Sequence, residues 1–192
     1  LSGCKGLLAN VAFVTHVCRK GVSLGLLFAY ISSSPFILQT HYGLSQTNYG
    51  LVIGFNAIFM VVGTMVALKF KLLKNAAVAG AFILVFGACG EAFALYRIHS
   101  IWVYELFMII VLFALGLIFT SSNTLAMNEG RRQAGEASSL LGIAGYVVGA
   151  VVSPLVGMGN ILHSTAIAYV AITILVIFFA IKTKLLAPDL DK

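Results

Sequence analysis

The feature that most limits this chain is a succession of six long apolar runs separated only by short polar gaps. A helix needs about 20 mostly apolar residues to cross the hydrocarbon core of a bilayer. Runs of that length fall near residues 11–38, 48–68, 76–96, 101–127, 137–158 and 164–181. They are continuously apolar and lack the dyad alternation of a membrane β-barrel. The expected fold is therefore an all-α membrane protein, a six-transmembrane-helix bundle whose solvent is the lipid bilayer. Composition agrees: 60% of the 192 residues are hydrophobic and 9% are charged, whereas a soluble domain carries roughly 25% charged residues.

The gaps at 39–47, 69–75, 97–100, 128–136 and 159–163 are short enough to force neighbouring helices antiparallel. One side of the membrane then holds Lys5, Lys69, Lys71, Lys74, Arg131, Arg132, Lys182, Lys184 and Lys192, and the other holds Arg97 alone. The positive-inside rule puts both termini in the cytoplasm. Because the net charge of +6 is confined to these gaps, it reads as a topology signal and not as a nucleic-acid surface. His41, His99 and His163 fall in the three outer loops, where solvated histidines are expected and no metal site is. Cys4, Cys18 and Cys89 form no C-x-x-C pair and read as free thiols. There is no evident cleavable signal peptide, and a start at Leu1 instead of Met suits a segment of a longer protein.

Three glycine pairs have G-x-x-x-G spacing: Gly21/Gly25, Gly50/Gly54 and Gly145/Gly149. Each pair lies on one helix face and predicts close helix packing, since in lipid no hydrophobic force draws helices together. Such faces can also slide or rock. Pro35, near the outer end of the first span, and Pro154, near the outer end of the fifth, remove backbone donors and are expected to kink their helices. Interrupted helices at related places point toward transporter cores, and six spans can divide as three plus three inverted. No sequence identity between the two triplets makes that division visible.

Two stretches carry a family resemblance. Residues 27–58, LFAYISSSPFILQTHYGLSQTNYGLVIGFNAI, include Ala29-Tyr30-Ile31-Ser32, Ser34-Pro35-Phe36, Tyr42-Gly43-Leu44-Ser45 and Asn56. Residues 125–157 include Ala134-Gly135, Ala137-Ser138, Leu141-Gly142, Gly149 and Ser153-Pro154-Leu155-Val156-Gly157. In order and spacing these resemble the seventh to eleventh helices of Bcr/CflA-type drug-efflux proteins of the major facilitator superfamily. The resemblance runs from about residue 10 to 182. It implies that residues 1–192 form the C-terminal six-helix domain of a twelve-helix drug:proton antiporter of the bacterial inner membrane. The implied partners are the N-terminal half, hydrophobic or cationic small molecules, and protons, with no cofactor. Thr120 stands where a proline is expected in the tenth helix, and Gly145 where a glutamine is common in the eleventh. The Arg19-Lys20 pair departs from the expected uncharged helix.

A cavity for hydrophobic drugs needs aromatic surface and a few polar anchors. The candidates are Phe28, Tyr30, Phe36, Asn56, Asn123 and Tyr146. Helix-to-helix hydrogen bonding is the plainer role for the two amides, and lipid or core packing for the aromatics. Glu91 and Glu105 lie within apolar runs, so proton carriage is one reading; an ion pair with Arg97, or a hydrated carboxylate near the outer interface, is the other. No enzyme is expected: the chain has no His-Glu-x-x-His, no paired-carboxylate motif and no Gly-x-Ser-x-Gly. A half-size membrane module that self-associates or scaffolds a partner is the alternative to a transporter half.

His16, Arg19, Lys20 and Ser23 share one helical stripe at the start of the first span. If the helix starts near residue 11, the stripe is expected to face the central cavity and meet an acidic group of the other half. If it starts at Gly21, Arg19 and Lys20 are snorkelling cytoplasmic anchors.

Overall fold

A computed structural model describes residues 2–98 and 100–186. His99 and Lys192, both used in the topology argument, lie outside the described residues. A short helix α1 (Ser2–Ala9) precedes six long ones: α2 (Val11–Pro35), α3 (Gln46–Ala67), α4 (Leu73–Phe93), α5 (Ile101–Glu129), α6 (Ala134–Val156) and α7 (Ile161–Leu186). All six are long and apolar enough to cross a membrane, which bears out the all-α six-span expectation. The last helix runs well past the apolar run, to Leu186, carrying Lys182 and Lys184 on its final turns.

The start of α2 is fixed by Asn10. Its side-chain oxygen accepts from the backbone N–H of Ala12 (2.9 Å) and Phe13 (3.1 Å), satisfying two donors that a helix N-terminus leaves unpaired. Its amide nitrogen also donates to Glu129 at the end of α5, at 3.1 Å. The helix therefore begins at Val11, and the reading that starts it at Gly21 is overturned. Asn10→Ala should lower the stability of the bundle by about 1 kcal/mol, the usual cost of a lost N-cap, measured as a drop in the unfolding midpoint in detergent. Pro35 does not break its helix: the chain continues as a π-helical turn, Phe36–His41, so the C-terminal end of α2 widens at the proline. The end of α4 widens in the same way over Ala94–Ile98. Pro154 sits in the last turn of α6, which stops two residues later.

Packing follows a paired plan. α2 packs on α6 as α5 packs on α3; α2 also packs on α7 as α5 packs on α4; α2 meets α5, and α4 meets α7. Exchanging the triplet α2–α3–α4 with α5–α6–α7 maps this pattern onto itself, although the two triplets share no visible sequence identity. α4 and α7 cover one side of the central α2/α5 pair. α3 and α6 flank it and are buried over little of their length.

Glycines make the closest of these contacts. A Cβ on Gly21 or Gly25 would meet Ala144 or Val148 of α6, and one on Gly145 or Gly149 would meet Leu24 or Phe28 of α2. Two of the three spaced pairs thus face each other across one helix pair. The third does not pack: Gly50 and Gly54 have nothing within 4 Å of a built Cβ, because they lie on the uncovered side of α3. The contact between α3 and α5 uses Gly63 and Gly116 instead, which the spacing rule did not pick out.

Candidate functional site

Successive helical residues point about 100° apart, and Arg19 and Lys20 diverge accordingly. Arg19 turns to the covered side. It is 0% exposed, and it donates from Nε to Ser122 Oγ of α5 (2.8 Å) and from Nη1 to Thr183 Oγ1 of α7 (2.6 Å). His16 and Ser23, on the same stripe, are buried with it. Lys20 turns to the open side and donates to Asn123 Oδ1 at 2.8 Å. That pair lines a shallow groove between α2 and α5 with Phe119, Thr120 and Thr124. Ser122 and Asn123 are neighbours, as are Arg19 and Lys20, so two polar links between the same helices sit back to back. The expected cavity-facing stripe is therefore split. Arg19 is enclosed by this bundle alone and cannot meet an acid of another half; Lys20 and Asn123 stay accessible.

At the other end of the bundle a second polar group gathers from five elements. Asn56 of α3 is fully buried and donates through Nδ2 to Tyr30 Oη of α2 (3.0 Å) and to Glu105 Oε2 of α5 (2.8 Å). Ser34 Oγ and Tyr49 Oη lie 3.2 Å apart. Tyr42, in the loop after α2, stacks at a tilt on Tyr104, ring centroids 5.8 Å apart. Burial, with the nearby Glu91 and Glu105 carboxylates, pushes the Tyr42 phenol up to about 12. Glu91 of α4 is 0% exposed, and neither of its oxygens has a hydrogen-bond partner among the described residues.

The geometry places neither acid in an ion pair with Arg97 among the described residues. Glu105 is held by Asn56, not by Arg97, and also borders an apolar groove of about 440 Å³ between α3 and α5, with Phe55 and Trp102. Glu91 is fully buried and pairs with no cation among the described residues. An ionised carboxylate in such surroundings carries a desolvation cost of several kcal/mol, which a bound proton or cation removes.

The remaining candidates form a third group. Phe28 packs over Gly149, and its ring lies 6.1 Å from that of Tyr146. Tyr146 and Phe36 are more than half exposed, so both are available to a ligand, lipid or a partner domain. Tyr30, a cavity candidate for which core packing was the plainer role, is 4% exposed and accepts from Asn56 in the buried network. Sequence reasoning did not single out Tyr104, Ser122 and Thr183, and it used Tyr42 only within the resemblance. Tyr104, next to Glu105, is a single hydroxyl inside an apolar run, whereas Ser122 lies in the polar stretch 120–124, Thr183 between Lys182 and Lys184, and Tyr42 in the gap after the first span.

The described residues thus define a class: a six-helix membrane-spanning bundle with two buried polar clusters and one uncovered face. The chain is similar to a Bacillus subtilis (strain 168) protein named as an uncharacterized MFS-type transporter, YdgK. The two are 31% identical over 176 residues, covering 84% of this chain and 43% of that protein. This similarity supports membership of the major facilitator superfamily. The chain spans less than half the length of that relative. No protein-family model matches the chain.

Proposed function

We propose that this bundle is the C-terminal half of a proton-coupled transporter that exports hydrophobic or cationic drugs across the bacterial inner membrane, with both termini in the cytoplasm. The observation that carries the reading is the placement of two carboxyls near one another: Glu91 lies in the interior with no hydrogen-bond partner among the described residues, while Glu105, tied by Asn56 to Tyr30, borders an apolar aromatic groove. A proton carrier needs a carboxyl away from bulk water with a polar route to it. A drug path needs aromatic surface beside a few polar anchors, and Phe28, Phe36 and Tyr146 offer that surface on the α2/α6 side. The uncovered α2/α5 groove and the sparsely buried α3 and α6 suit a second six-helix half, as does a relative more than twice as long.

Alternating access needs two halves moving about one site. Cells making the full-length protein should therefore extrude a fluorescent hydrophobic cation, and cells making only residues 1–192 should insert the bundle and extrude none. Equal efflux from both would favour a self-associating half-size module.

A further inference from the structure

We propose that the Arg19 cluster is a binding site for a small inorganic anion of chloride size, held inside this bundle. Four observations converge. The Arg19 guanidinium is completely covered by α2, α5 and α7, so its charge is outside the reach of lipid headgroups and of any other domain. Its described partners are neutral hydroxyls, and no carboxylate among the described residues balances it. Its Nη2 has no acceptor among the described residues. The groups around it are donors: Ser122 accepts from Nε and keeps its own proton to give, and Ser23, one turn along the same face, is fully buried with an unpartnered hydroxyl. An isolated buried cation is strongly unfavourable, and an anion accepting from Nη2 and these hydroxyls would remove most of that penalty.

A route exists. His16, one turn before Arg19, and Thr183, its hydrogen-bond partner, both line a cavity of about 360 Å³ at the end of the bundle that carries the chain termini. Lys71 and Lys74 stand at its rim opposite Glu129, which Asn10 holds. The enclosed position of Nη2 favours a bare halide over a phosphate or an organic acid. This inference does not depend on what the protein transports.

The test is the thermal unfolding midpoint of the purified full-length protein in detergent. Chloride is exchanged for gluconate at fixed sodium and ionic strength. A ligand that binds only the folded state raises the midpoint in a saturable way, by at least ~2 °C at high occupancy. Arg19→Gln should abolish the chloride-dependent part, and Arg19→Lys should keep some of it. If Arg19→Gln does not fold, Ser122→Ala and Ser23→Ala should each shift half-saturation to higher chloride. Crystals grown in bromide should show anomalous scattering beside Nη2. Identical midpoints in chloride and gluconate, or a chloride effect that survives the Ser122→Ala and Ser23→Ala changes unaltered, would overturn the proposal.

Discussion

Glu91→Gln is expected to leave the bundle inserted and stable to within about 1 kcal/mol, a typical net value for one polar interaction, while proton-driven drug movement falls at least tenfold. Tenfold corresponds to about 1.4 kcal/mol in a rate. The side chain is 0% exposed and makes no hydrogen bond among the described residues, so an amide of the same shape removes no contact that holds helices together. What it removes is the ability to gain and lose a proton. A purely structural carboxyl predicts the opposite pattern, with stability lost and transport lost only in proportion. Unfolding midpoints and transport rates measured on the same preparation separate the two.

Gly63→Ala is expected to have the largest effect on the fold. A Cβ there would collide with the Phe113 carbonyl oxygen, and one on Gly116 with that of Met60. Both obstacles are backbone, so no rotamer change relieves them and α3 must move away from α5. Overpacking usually costs about 1–3 kcal/mol, and this site should fall at the top of that range. The same helix pair carries the Asn56–Glu105 hydrogen bond, so the displacement should also uncouple the outer polar cluster. Gly50→Ala, on the open face of α3, is the control; there alanine should be neutral or stabilising by up to about 1 kcal/mol through helix propensity. Similar unfolding midpoints for the two variants would show that α3 and α5 do not approach as described.

The helix count was legible because membrane burial writes itself as length: no other element satisfies 20 consecutive apolar residues. The start of α2 was only half legible. Asn10 is an ordinary cap residue, but Arg19 and Lys20 nine and ten positions later obscured it, since charges normally mark the end of a span. The direction of those two side chains could not be read from periodicity. A stripe assigns a face, not the neighbour behind it, and only the positions of Ser122 and Thr183 decide that Arg19 is enclosed. Glycine spacing failed at Gly50/Gly54 for a related reason, because a small-residue face permits close approach without supplying a partner. The directions of Glu91 and Glu105 depended on how α4 and α5 are rotated against their neighbours, which the apolar runs around them do not fix.

The most direct test is drug and proton movement by the full-length protein in sealed proteoliposomes with an imposed pH difference. A hydrophobic cation should move against the proton flow, and adding it should collapse the pH difference in the native protein but not in Glu91→Gln. Drug movement at the same rate in Glu91→Gln, or without any proton movement in the native protein, would contradict the account.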